Sequence, residues 1–379
     1  MPAAHRTAIL RTLTLSAAFA AALNGTMVMP LIVLALSRIP GIDEGTATAI
    51  AAAELAGIAL YGLLAAHLVR RARPAVGMFG VAALVLGEAA SQWAGTAAAL
   101  SGARLLAGLG EGALFSLISA GVASESNAER IWGRINLVGG VAMGLLLYGM
   151  SCLPPAAERG TLFLWLTAMA IVLAPWALRI RPSSQAAERP RPSMLKRRHM
   201  GLIWLVVVLV YGMQAGQWAV SAYMGDMDQM PTARVGLYLA LSSLLGFVGA
   251  LVPALARDPR RRLRYVLQGF LVMAAAVMLF FNGRGDMPFL WGQVGVNVGF
   301  YMVTPFIVGM LTENDHDGSL VLRTLVIALI GAAIGTALAG EGFVATGPRQ
   351  FGWICVSVLM MAMAATGLVF KRQPVPVPA

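Results

Sequence analysis

Four ionisable side chains, Glu54, Glu88, Arg104 and Glu111, stand inside long stretches that otherwise carry almost no charge. At membrane depth each such group costs about 2.5 kcal/mol or more, so its presence points to function. Low dielectric favours a protonated carboxyl, whereas a nearby guanidinium favours the carboxylate. A Glu that alternates between those settings takes up and releases a proton, which is the chemistry of ion coupling. Arg104, Gly108, Glu111 and Phe115 recur at helical spacing and share one face. Glu54, Glu111 and Arg104 are therefore the candidate proton-coupling residues; fully ionised, they sum to one net negative charge. The bland alternative is an Arg104–Glu pair that only ties helices together. Glu88, nearer the end of its segment, reads as more peripheral.

The second half of the chain offers neutral polar groups instead, among them Gln214, Gln217, Gln293 and Asn297. Together with Asn24, they are candidate substrate-binding residues. Asn24, Gly25 and Pro30 also suggest a bend, since proline releases a backbone carbonyl. A local helix–helix hydrogen bond is the competing role for Asn24. Phe115, Tyr148, Trp218 and Tyr301 suit a planar apolar ligand, although such rings often pack or sit in interfacial belts.

These residues need elements that cross a bilayer. Of 379 residues, 58% are hydrophobic and only 12% charged, against roughly a quarter charged in soluble domains. A water-soluble chain could not hide so much apolar surface, and a spanning helix needs about 20 apolar residues. Such runs cover 10–36, 46–69, 75–94, 98–122, 132–153 and 161–179, then 201–224, 234–256, 265–282, 288–311, 321–345 and 351–370. Pro- and Gly-rich connections punctuate them. The segment 180–200, rich in Pro, Ser and Arg, reads as a linker between an N-terminal bundle (1–179) and a C-terminal bundle (201–379). The expected fold is thus an all-α membrane protein of twelve helices in two pseudo-symmetric six-helix halves.

With twelve spans, 22 of the 28 Lys and Arg residues fall on the side that holds both termini and 5 on the other. The positive-inside rule then places both termini in the cytoplasm, in a cell or inner membrane. The net charge of +11 is topological and implies no nucleic-acid partner. The first apolar run extends to Leu36, too far for a cleaved signal peptide. Cys152 and Cys355 lack any metal-like neighbour and read as small packing residues.

The halves show weak internal repetition. Asn24 pairs with Gln214 at a shift of 190, Gly62 with Gly249 at 187, and Ser124–Asn127 with Thr312–Asp315 at 188. Parallel six-helix repeats of this kind occur in transporters. After the second span comes Gly62-Leu-Leu-Ala-Ala-His-Leu-Val-Arg70-Arg71, and in the fourth Arg104-Leu-Leu-Ala-Gly108-Leu-Gly110-Glu-Gly112. In these two segments the chain resembles the major facilitator superfamily. The first matches its G-x-L-A-D-R-x-G-R-R motif at Gly62, the Leu-Ala pair and the arginines, with Ala66 in place of the Asp. The second matches its Arg-plus-glycine run. A Gly-Pro pair found in the fifth helix of many antiporters is absent. The resemblance implies alternating access, a cavity lined by the first, fourth, seventh and tenth helices, and a gating role for Arg70 and Arg71.

The function expected is a secondary active transporter of a small organic solute, proton-coupled and exporting an amphipathic compound. It would need protons, a lipid bilayer and no cofactor, and would work as a monomer. Proton-coupled uptake of a small metabolite is the alternative, and a membrane sensor or intramembrane enzyme a more distant one. Neither a phosphate-binding loop nor His or Asp ligands at metal-binding spacing appear, so ATP-driven transport and enzymatic roles lack sequence support.

Overall fold

Apolar side chains face outward over the length of the helices, a surface that suits lipid rather than water. Leu60, Leu86, Leu145, Leu255, Leu338 and Met361 are all exposed, and only a bilayer makes such a surface stable. Trp93, 77% exposed, ends one helix as an interfacial anchor would. The computed structural model describes residues 3–68, 73–123, 128–152, 159–180, 197–256, 261–312 and 319–371. Arg70 and Arg71, residues 181–196 of the linker, and the repeat segments 124–127 and 313–315 lie outside the described residues.

Among the described residues there are helices and no strand. They are α1 (Ala3–Ala22), α2 (Asn24–Ser37), α3 (Glu44–Leu68), α4 (Arg73–Trp93), α5 (Ala97–Ala123), α6 (Ala128–Ser151) and α7 (Arg159–Leu173). There follow α8 (Arg197–Ala219), α9 (Ser221–Met227), α10 (Thr232–Gly246), α11 (Leu251–Leu255), α12 (Arg262–Asn282), α13 (Asp286–Thr312) and α14 (Ser319–Lys371). Nine stretches of the described residues are long and apolar enough to cross a membrane. The last of them, Arg323–Phe370, is two helices joined at Gly347; with the shorter apolar Val138–Ser151 and with α13, the set is consistent with twelve crossings.

The joint at Gly347 has φ 74° and ψ 164°, a conformation open essentially to glycine alone. A Cβ there would meet nothing within 4 Å, so Gly347→Ala tests backbone strain without a packing term. It is expected to cost about 1–3 kcal/mol, read as a lowered melting temperature of the purified protein. An unchanged melting temperature would contradict it.

The chain packs as two compact units, Met1–Ala186 with Pro231–Ala240, and Ala187–Met230 with Leu241–Ala379. In the first unit the apolar run 9–37 is interrupted. Leu23 leaves helical geometry at φ −125° and ψ 16°, so α2 begins afresh at Asn24. The bend therefore precedes Asn24, and Pro30 sits inside α2 without ending it. Helix starts carry local caps. Asp43 Oδ1 accepts the Thr46 amide at 2.7 Å, ahead of α3, and Thr96 Oγ1 accepts the Ala99 amide at 3.2 Å, ahead of α5. The Thr46 hydroxyl, and then its amide, hold Asp43 below the usual carboxylate range. Arg159 donates to the Ser91 and Gln92 carbonyls at 3.0 and 2.7 Å, tying the start of α7 to the end of α4.

Small residues set the spacing of α3, α4 and α5. A Cβ on Gly57 would come within 2.8 Å of the Leu109 nitrogen, and one on Gly87 within 2.7 Å of Ala107 Cα. Backbone therefore meets backbone at both crossings, as small residues allow between membrane helices. In the second unit Gly212 and Gly216 of α8 face Gly331 and Gly335 of α14, each pair one helical turn apart. That close approach is the second unit's equivalent device.

Candidate functional site

Arg104 lies on α5 within the first unit, with no exposed surface, and it holds two carboxylates at once. Its Nη1 donates to Glu88 Oε2 on α4 at 2.6 Å, and its Nη2 donates to Glu54 Oε2 on α3. A planar fork directed at two helices needs arginine, since one ammonium cannot reproduce both directions. The guanidinium also lies over the Phe163 ring of α7, 5.3 Å from its centroid, a cation–π contact in a dry setting. Glu111, two turns along α5 from Arg104, turns elsewhere. Its Oε1 accepts the Gly25 amide at 3.1 Å.

That last bond follows from the broken first span. The first turn of α2 has amides without intrahelical partners, and a helix N-terminus favours negative charge. Gly25 lies in that turn, so the interruption at Leu23 supplies the donor that receives Glu111. Gly25 has a second reason to be glycine, because a Cβ there would collide with the Glu54 carboxylate and come within 2.5 Å of Arg104 Nη2. Beside it, the Asn24 side-chain amide donates to the Leu166 carbonyl of α7 at 3.2 Å. Asn24 is thus a fully buried strut next to the charged cluster.

All four charged side chains are fully buried. Ligand oxygens of Glu54, Glu88 and Glu111 lie within 4.8 Å of one another, the one grouping among the described residues arranged to hold a cation. Glu54 Oε1, Glu88 Oε1 and Glu111 Oε2 have no hydrogen-bond partner. Fully ionised, three carboxylates against one guanidinium carry two surplus negative charges. Uncompensated buried charge is strongly unfavourable, so the cluster is built to take up positive charge.

The fold brings Arg104, Glu54 and Glu111 together, and Glu88 joins them as a direct partner of Arg104. Its place was legible in principle. The helices α4 and α5 form a hairpin around a short turn at 94–96, and residues equally far from such a turn face each other. Glu88 lies six residues before the turn and Arg104 eight after it, close enough to that condition for the two side chains to meet across the hairpin. The Gly25 amide and the Phe163 ring carried no such signal. Phe115 packs near Phe19, with centroids 6.3 Å apart, whereas Tyr148 on α6 is exposed.

The second unit has a neutral counterpart. Along antiparallel α8 and α13, Gln214 Nε2 donates to Asn297 Oδ1 at 2.9 Å, and Gln217 Nε2 to Gln293 Oε1 at 2.5 Å. Below these rungs Tyr211 packs edge-on to Phe300 at 5.1 Å, and Tyr301 stacks on Phe247 at 4.6 Å. Trp218 lies partly buried on α8. Each rung leaves one acceptor and one donor unused: Gln214 Oε1 with Asn297 Nδ2, and Gln217 Oε1 with Gln293 Nε2. The four amide candidates therefore form one ladder, and a cavity below it is lined by Val207, Tyr211, Thr304, Ile307, Thr324 and Ala328.

Solved structures of transporters share this fold. A nucleoside transporter, NupG, superposes with a TM-score of 0.76 at 12% identity, covering 96% of this chain and 99% of that one. A D-xylose-proton symporter gives 0.74 at 14%, with 97% of each chain covered. The human organic anion transporter MFSD10 gives 0.67 at 15%, covering 96% of this chain and all of the other. No curated protein sequence matches. The sequence model of the Major Facilitator Superfamily matches residues 14–320. With that match and the helical transporter fold, the chain belongs to the Major Facilitator Superfamily.

Proposed function

We propose that this transporter couples the movement of a small organic solute to protons, exporting an amphipathic compound by alternating access. The observation that carries the reading is the fully buried cluster of Arg104, Glu54, Glu88 and Glu111 in the first unit. Its surplus negative charge is relieved by protonation and restored by proton release, so its state can bias a conformational equilibrium. In this proposal the halves 1–179 and 201–379, joined by 180–200, give the solute access to each side of the membrane in turn, with Arg70 and Arg71 acting at the gate. A monomer in the cell membrane, both termini in the cytoplasm, suffices.

Gln214, Gln217, Gln293 and Asn297 supply hydrogen bonds to the solute, and Phe115, Trp218 and Tyr301 supply apolar faces; Asn24 and Tyr148 complete the set. The amide ladder favours a second reading, uptake of a neutral polar metabolite with protons. Its unused donors and acceptors match hydroxyl or amide groups better than a wholly apolar ring.

Counterflow in proteoliposomes with a diverse compound panel, with and without an imposed pH gradient, tests both. Glu54→Gln, Glu111→Gln and the double variant keep side-chain shape while fixing a neutral group. Exchange is expected to persist in them while pH-driven accumulation is lost. A double variant that concentrates solute with wild-type pH dependence would show that these residues are structural.

A further inference from the structure

The coupling cluster holds more acid than one exchangeable proton can balance. Four groups face one another from three helices: Glu54 from α3, Glu88 from α4, and Arg104 with Glu111 from α5. From α2 the Gly25 amide and the neutral Asn24 lie at hand, and from α7 the Phe163 ring. The single guanidinium balances one carboxylate of three. Glu88 is as tightly bound to Arg104 as Glu54 is, and equally buried.

We infer that Glu88 is a third proton-carrying member of the centre, and that the loaded centre holds two protons shared among Glu54, Glu88 and Glu111. The inference rests on the proton-coupling reading and deepens it. Two independent observations agree on the number. Charge balance requires two positive charges beyond Arg104. Hydrogen bonding accommodates the same number, because one oxygen on each of the three carboxylates lacks a partner, with Arg104 Nε the one unpartnered donor beside them. Two O–H groups bridging three oxygens satisfy all of them, in the order acceptor, hydroxyl, hydroxyl. One carboxylate oxygen of each acid lies within 4.8 Å of one from each of the others, so the three carboxyl groups are close enough to share protons. The other oxygen of each Glu is already committed: Glu54 Oε2 and Glu88 Oε2 to Arg104, and Glu111 Oε1 to the Gly25 amide. Unloading transfers both protons to water on the exposed side and leaves two negative charges behind. Each turnover therefore moves two protons.

The test counts protons without needing the solute. Infrared spectroscopy of the purified full-length protein at neutral pH reads the C=O stretch of protonated carboxyls, identified by its shift in deuterium oxide. Two buried carboxylic acids are expected in the wild type and one in each of E54Q, E88Q and E111Q. None is expected in the E88Q/E111Q double variant, where the remaining carboxylate is balanced by Arg104. A single acid in the wild type, or a count that E88Q does not lower, overturns the inference. So does loss of the signal on adding sodium or potassium, since a metal ion would then be the occupant. If E54Q or E88Q fails to fold, the wild-type count and E111Q still decide the number of protons, and E88D, whose protonated carboxyl stretches at a shifted frequency, decides whether Glu88 holds one: an unshifted band overturns the inference. The transport reading is judged separately, by the loss of pH-driven accumulation in Glu54→Gln and Glu111→Gln. A count of one with that loss keeps proton coupling and removes only the second proton.

Discussion

Arg104→Gln is expected to reduce pH-driven transport to background and to destabilise the protein by about 3–5 kcal/mol, the usual cost of breaking a buried ion pair by removing one partner. Arg104 joins α5 to α3 through Glu54 and to α4 through Glu88, all without exposed surface. Glutamine reaches neither carboxylate with a charge, so three buried acids lose their only cation. Arg104→Lys separates charge from geometry. A lysine keeps the positive charge but loses the fork that serves two helices, so its melting temperature should fall between those of the wild type and Arg104→Gln. Thermal unfolding of the purified variants, together with accumulation in proteoliposomes under an imposed pH gradient, gives both readouts. Wild-type melting and accumulation in Arg104→Gln would remove the guanidinium from the centre altogether.

Gly108→Leu is expected to be at least as severe, and for a different reason. Gly108 lies on α5 one turn from Arg104, and a Cβ there would come within 2.7 Å of the Glu54 carbonyl carbon, with backbone rather than a movable side chain in the way. A leucine must push α3 away from α5, which parts Glu54 from Arg104 even though neither residue is changed. Overpacking of a tight interior typically costs about 1–3 kcal/mol, occasionally more. Here the loss of the ion pair adds to it. The expected result is poor recovery of monodisperse protein and, in whatever folds, loss of pH-driven accumulation. Gly102→Leu is the control, since a Cβ at that position meets nothing within 4 Å. Comparable melting temperatures for the two leucine variants would mean that the α3–α5 crossing does not depend on glycine.

The two expectations share a cause. The charged cluster exists only because three helices approach backbone to backbone, and glycine and alanine at the crossings permit that approach. Gly57, Gly87 and Gly108 all lie within a turn of the cluster's acids or of Arg104. The glycine run after Arg104, which carried the family resemblance, has this packing role in the fold.

Hydropathy is a local property, and it was enough to read the lipid environment, the succession of apolar helices and the depth of Glu54, Arg104 and Glu111. The break at Gly347 was legible too, because Gly347-Pro348 falls between the apolar runs 321–345 and 351–370. Helical spacing placed Arg104 and Glu111 on one helix, but it could not say which carboxylates share the guanidinium. That depends on contacts distant in sequence: Gly25 and Glu111 are 86 residues apart, and Asn24 and Leu166 are 142. The interruption at Leu23 was likewise hidden, since Asn24 and Pro30 suggested a bend while the break falls one residue earlier. The amide ladder of α8 and α13 depends on the register of two antiparallel helices, which no local pattern encodes. Sequence alone determined the solvent, the elements and the depth of each charge, because those follow from each segment's own transfer free energy. Only the tertiary structure decided which charges meet, because partners are chosen by how closely the glycine faces of α3, α4 and α5 let their backbones pack.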